Sequence, residues 1–196
     1  MRRLFIAVNL PDEAKNKIRL IIEKLKEQGG ERMRFLPPEN WHITLTFLGY
    51  QPDEALPAIS KSLREVADNF FAHQEGRRKE GFNIRFSEVA YAPPGKLPRM
   101  IWLVADKATS QIISGTKNNL EDKLEQGGVR FRREDRQYNA HITLTRFENQ
   151  SAENLPELSV GKSILPIIFW CFSLDLMESH LKRTGAEYDI LSAFSL

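Results

Sequence analysis

The pentapeptide His-Ile-Thr-Leu-Thr occurs twice in this 196-residue chain, at His42 to Thr46 and again at His141 to Thr145, and it uses two of the chain's four histidines. Chance repetition of five residues in a chain of this length has odds on the order of one in a hundred, so the repeat asks for a cause. Within each copy β-branched residues and leucine alternate with polar ones, which predicts a strand whose successive side chains point to opposite faces. On that parity His42, Thr44 and Thr46 share one face, and Ile43, Leu45 and Phe47 share the other. His141, Thr143 and Thr145 likewise stand opposite Ile142, Leu144 and Arg146. Two such strands, each presenting an imidazole and a hydroxyl from a sheet with an apolar back, would line a cleft with paired acid and base groups.

The flanks of the pentapeptide repeat as well. Leu4 to Val8 is an apolar run stopped by Asn9-Leu10-Pro11, and from Asp12 the residues Ala14, Ile18, Ile21, Ile22 and Leu25 recur at helical spacing until Gly29-Gly30. Met100 to Ala105 is a second apolar run, and Ala108 to Gln126 carries Ile112, Ile113, Leu120 and Leu124 at helical spacing until Gly127-Gly128. Strand, helix, Gly-Gly, connection and His strand therefore appear in both halves. Pro52 to Phe71 predicts an inserted helix, and Phe82 to Tyr91 a strand that turns through Pro93-Pro94-Gly95 toward Met100. Ile167 to Glu178 is expected to pair with Glu187 to Phe194 through a turn near Thr184-Gly185. The expected fold is α+β and bilobal: two pseudo-symmetric lobes, each with an antiparallel-rich sheet and helices, and a cleft between them. No linker-like composition separates the halves, so residues 1–196 are expected to form one two-lobed domain.

Composition excludes several function classes. A net charge of +2 is too small for a surface that coats nucleic acid, although Arg130, Arg132, Arg133 and Arg136 cluster before the second pentapeptide. That run is either a solvated loop or an anion-attracting patch. Cys171 is the only cysteine, which rules out an intrachain disulfide and fits a reducing, cytoplasmic setting. The longest apolar stretch, Ile164 to Phe172, contains Pro166 and falls short of the roughly 20 residues a membrane helix needs. No membrane association is expected. Neither a Walker-type nor a dinucleotide glycine pattern is present, so no nucleotide cofactor is indicated.

Histidine titrates nearest to neutrality, and a pair of imidazoles can divide into one base and one acid at the same pH. That division suits in-line displacement at phosphorus, where one ring takes a proton from the entering oxygen and the other protonates the leaving oxygen. A threonine two residues on supplies a hydroxyl to a non-bridging phosphate oxygen. A catalytic zinc usually has three protein ligands, and neither motif carries a third at short spacing, Glu148 being the nearest carboxylate to the second. Cys171 in Trp170-Cys171-Phe172 reads as packing, and His73 and His180, which lack the threonine partner, read as surface residues.

These residues resemble the two-histidine (2H) phosphoesterase superfamily and, within it, the RNA 2′,3′-cyclic phosphodiesterase branch, also called the 2′-5′ RNA ligase family. The supporting segments are Leu4 to Val8 through Pro11, Trp41 to Gly49, His141 to Arg146, and the carboxyl-terminal stretch with Ser179, Gly185 and Tyr188. The resemblance spans nearly the whole chain. It implies a metal-independent hydrolase, without cofactor, that opens the terminal 2′,3′-cyclic phosphate of RNA to a 2′-phosphomonoester. It further implies His42 as proton donor to the leaving 3′ oxygen and His141 as proton acceptor from water, with Thr44, Thr143, Arg146 and Phe5 on the substrate side. On strand parity Arg146 falls opposite His141 unless the strand twists or ends there. Asn139-Ala140 departs from the pattern, since many members carry a proline there. The implied partners are RNA ends or nucleotides bearing a cyclic phosphate, and the protein is expected to be a monomer. The alternative reading is an RNA-end binding or 2′-5′ joining protein that uses the same cleft, for which Phe5, Trp41, Tyr138 and Tyr91 are the candidate base-stacking rings.

Overall fold

A computed structural model describes residues 1–28, 33–70, 81–134, 136–147, 155, 158, 164–183 and 185–196. His73, Glu148, Thr184 and the Gly29-Gly30 pair lie outside the described residues. The chain forms nine strands and three α-helices among those residues: β1 (Arg2–Asn9), α1 (Asp12–Glu27), β2 (Met33–Phe35), β3 (His42–Gln51), α2 (Leu56–Asn69), β4 (Phe82–Ala92), β5 (Met100–Ala105), α3 (Lys107–Gln126), β6 (His141–Phe147), β7 (Ile167–Cys171), β8 (Ser173–Lys182) and β9 (Gly185–Ser195).

The strands build two antiparallel sheets with orders β3-β1-β8-β9 and β2-β6-β5-β4-β7. Setting the short β2 aside, the orders correspond strand for strand, with β1 matching β5 and each His strand outside it. That correspondence is the fold's pseudo-symmetry, and it confirms the α+β, two-lobed architecture read from the repeat.

One expectation is corrected. Ile167 to Glu178 is not a single strand paired with the last one. The chain breaks at Phe172; β7 then joins β4 in the second sheet, while β8 pairs β1 and β9 in the first. The lobes are therefore not the two halves of the sequence, because the carboxyl-terminal hairpin completes the amino-terminal lobe. The unbroken apolar run of Ile167 to Phe172 passes directly into the alternation of Ser173 to Leu176, and neither pattern names a partner strand.

Local sequence explains the helices. In α1 the stripe of Ala14, Ile18, Ile21, Ile22 and Leu25 is buried, with Asp12 and Glu13 in the first turn and Lys24 and Lys26 in the last, as the helix dipole favours. Asp106 caps α3 by accepting from the Thr109 N–H at 2.8 Å. At the other end Gly128, at φ +78°, lets the chain reverse so that Val129 N–H returns to the Leu124 carbonyl. Both sheets and all three helices share one continuous apolar core, which includes Ile6, Ile18, Leu45, Leu63, Leu103, Leu120 and Leu144. Among the described residues no helix is long and apolar enough to cross a membrane.

Candidate active site

Each His strand contains a β-bulge in the same place. In β3 the register runs His42 to Asn9, Ile43 to Val8 and Thr44 to Ala7, then skips Leu45 and resumes with Thr46 opposite Ile6. In β6 it runs His141 to Val104, Ile142 to Leu103 and Thr143 to Trp102, skips Leu144 and resumes with Thr145 opposite Ile101. An extra residue on one strand reverses the alternation beyond it.

The bulges correct the parity read from sequence. Thr46 and Thr145 leave the face of their histidines and turn into the core, where both are buried. Thr46 Oγ1 donates to Glu121 Oε1 at 2.7 Å, and Glu121 is in turn ion-paired with Lys117 at 2.7 Å. Thr145 Oγ1 donates to the Arg34 carbonyl at 2.9 Å. The residues after them move the other way. Phe47 comes to the His42 face and is 53% exposed, and Arg146 comes to the His141 face and is exposed. The pentapeptide thus divides its threonines: the first of each pair stays beside the histidine, and the second anchors the strand.

The two imidazoles, both half-buried, face each other closely enough that charge on His141 depresses the pKa of His42. Tyr138 ties the lobes together beneath them, its hydroxyl donating to the Thr44 carbonyl at 2.7 Å. His42 sits in an aromatic corner, with the Phe5 ring 5.0 Å away and tilted by 36°, and Tyr188 5.1 Å away at 88°. Its Nδ1 is buried and makes no hydrogen bond to the described residues, which leaves Nε2 as the nitrogen able to meet a ligand. Burial drives the pKa of His42 down to about 4; the nearby Asn40 backbone, outside hydrogen-bond geometry, opposes part of that shift, and His141 adds to it.

His141 is held differently. Its Nδ1–H donates to the Asn139 carbonyl at 2.7 Å, which fixes the tautomer and likewise frees Nε2. The ring lies against Trp102, with centroids 3.6 Å apart and planes 21° from parallel. Burial lowers its pKa, less far than for His42; the Asn139 carbonyl pulls it back up, Arg136 lowers it and Glu134 raises it. At Asn139-Ala140 the Ala140 N–H donates to Ser110 Oγ at 3.3 Å, a bond that a proline at 140 could not make.

The remaining sequence candidates fall as follows. Phe5 is buried but forms the floor under His42. Trp41 is core, with Nε1–H bonded to the Leu36 carbonyl at 3.0 Å, and Tyr91 is half-buried against the core. Of the basic run, Arg133 is occupied by Asp122 and Glu125, and Arg136 by Glu134, so the solvated-loop reading describes those two. His180 is a surface residue paired with Asp189 at 3.0 Å. Cys171 is buried and its thiol is pushed up to about 12, so it packs rather than attacks. Sequence reasoning gave no role to Trp102, Tyr188 and Phe47. Trp102 hides inside an apolar run, and Phe47 reaches the site only through the bulge. Among the described residues no group of three His, Cys, Asp or Glu side chains is placed to hold a metal ion.

Residues 8–102 match the family model of LigT-like phosphoesterases. The RNA 2′,3′-cyclic phosphodiesterase of Archaeoglobus fulgidus is 31% identical over 151 residues, which covers 77% of this chain and 76% of that one. The chain belongs to the LigT-like phosphoesterase family. It is therefore an enzyme of the two-histidine phosphoesterase superfamily, as the duplicated motif suggested. The RNA 2′,3′-cyclic phosphodiesterase of Thermus thermophilus is another relative of this phosphoesterase, 29% identical over 99% of the chain and 90% of its own length. A crystal structure of a Thermus thermophilus protein superposes on it with a TM-score of 0.73 at 27% identity, over 99% of this chain and 97% of that one. Escherichia coli LigT in complex with 3′-AMP shares the fold at a TM-score of 0.72 and 22% identity, over 100% and 98% of the two chains.

Proposed function

We propose that the chain, acting as a single two-lobed unit over residues 1–196, hydrolyses the terminal 2′,3′-cyclic phosphate of RNA to a 2′-phosphomonoester, and does so without a metal. Water enters opposite the 3′ oxygen. His141 Nε2 takes the water proton as the new P–O bond forms, and His42 Nε2 gives a proton to the 3′ oxygen as that P–O bond breaks, leaving a 3′ hydroxyl. Thr44 and Thr143 donate to the non-bridging oxygens, Arg146 adds positive charge, and Phe5 supports the His42 ring. The protein works as a monomer in the cytoplasm, on RNA ends or nucleotides carrying the cyclic phosphate.

The observation that carries this reading is the pair of matched His-x-Thr units, one on each sheet, with both Nε2 atoms left for a ligand. The difference between the two rings supports the division of roles. A strongly depressed pKa makes His42 a ready proton donor once the phosphate anion has loaded it, and the less depressed His141 is the better acceptor. The relatives named for this activity supply the substrate class. The test is hydrolysis of a short oligoribonucleotide ending in a 2′,3′-cyclic phosphate, with and without EDTA. A 2′-phosphate product formed equally fast in chelator is expected, and a 3′-phosphate product or loss of activity in EDTA would contradict the reading.

A further inference from the structure

Trp102 stands directly across the ladder from Thr143, so its side chain leaves β5 on the face that carries His141. The indole lies nearly flat on the imidazole, at a centroid separation of 3.6 Å. An aromatic face carries the negative part of the ring quadrupole and attracts a cation set over it, most strongly for tryptophan. Among the described residues His42 has no comparable face, since Phe5 is tilted and Tyr188 is perpendicular to it.

The indole nitrogen sharpens the point. Trp102 Nε1 is buried and has no hydrogen-bond partner among the described residues. A buried unpaired N–H is costly, and phenylalanine or leucine would fill an apolar contact without it. The donor is not what the position uses, and the ring face remains.

We propose that Trp102 is a positioning residue that holds His141 flat and stabilises its imidazolium as the proton of the entering water arrives. This rests on the reading of His141 as the base. Attraction to the ring face acts only once the imidazole is charged, so it favours the transition state over the free enzyme. The other groups acting on His141 are the Asn139 carbonyl, Glu134, which favours the charged ring, Arg136, which opposes it, and His42 across the cleft. A carboxylate in place of Trp102 would stabilise the imidazolium too, but it would also repel the phosphate. A π face does the first without the second.

The sign of one titration decides the matter. If the indole merely buried His141, replacing it with leucine would admit water and raise the histidine's pKa; if its face stabilises the cation, the same change lowers it. The experiment is an NMR titration of the His141 imidazole in ligand-free wild type, Trp102→Phe and Trp102→Leu, each with its thermal transition recorded. We expect a fall of about half a unit to one unit for leucine, a smaller fall for phenylalanine, and a movement of His42 smaller than that of His141. A rise or an unchanged value in either folded variant overturns the proposal; if the leucine variant does not fold, the phenylalanine variant decides alone. On cyclic-phosphate-ended RNA, kcat should fall about five- to tenfold in Trp102→Leu at unchanged KM, and an unchanged kcat overturns the catalytic part. Wild type inert on that RNA would defeat the proposed activity, while the titration would still decide the role of Trp102.

Discussion

His42 and His141 hold equivalent places in two sheets of matching strand order, and their surroundings differ in three respects. His141 has its Nδ1–H on a carbonyl, its ring on an indole face and Glu134 nearby; His42 has a buried, unbonded Nδ1, a tilted phenyl and a perpendicular phenol. Duplication supplies two identical groups, whereas acid–base chemistry needs two unequal ones. The inequality comes from residues outside the repeated pentapeptide, on β1, β5, β9 and the connection before β6. On the proposed mechanism, a repeat builds the scaffold of a two-proton reaction and its asymmetric neighbours assign the protons.

The largest effect should come from removing either ring. His42→Ala and His141→Ala are each expected to lower kcat/KM about a hundredfold to ten-thousandfold while the fold survives, as measured by turnover of a cyclic-phosphate-ended oligonucleotide alongside circular dichroism. A near-normal rate in either folded mutant would end the comparison, because the two sites would then not be acting together.

The anchors beneath the two strands should also be unequal, this time in stability. Thr46→Val removes a hydrogen bond to the buried carboxylate of Glu121, and a bond to a charged group contributes about 1.5–3 kcal/mol. Thr145→Val removes one to a backbone carbonyl, nearer about 0.5–1.5 kcal/mol. Urea unfolding of the two mutants should therefore rank Thr46→Val as the more damaging, and the reverse order would show that the buried Lys117–Glu121 pair does not depend on this hydroxyl.

The smallest effect is expected for the threonines beside the histidines. Thr44→Val and Thr143→Val keep shape and leave acid and base in place, so each should slow turnover by less than the histidine changes. Full activity in the double mutant would assign both hydroxyls to structure alone.

The parts of this arrangement that sequence discloses are those set by local pattern. Identical pentapeptides, apolar runs and helical stripes locate the His strands, α1, α3 and the two-lobed design, and they single out His42, His141, Thr44 and Thr143. What stays hidden depends on a partner strand. A bulge is a mismatch between two strands, so nothing within His-Ile-Thr-Leu-Thr reveals that Thr46 and Thr145 turn inward or that Arg146 comes round to its histidine. The change of sheet at Phe172 is hidden for the same reason. Trp102 looks like one more apolar residue of Met100–Ala105 until the opposite strand puts His141 against it.

The central claim is that two unequal imidazoles share one reaction, and the pH dependence of kcat/KM tests it most directly, because that quantity reports the free enzyme. Burial depresses both pKa values, so protonation of the free site is complete only well below the usual histidine range. The profile should rise through about 4, fall again below the ordinary 6.5, and keep its shape in EDTA. The kcat profile should lie at higher pH, since a bound phosphate anion favours both imidazolium forms. A kcat/KM profile with both limbs above 6.5, with a single limb, or dependent on added metal would contradict the account.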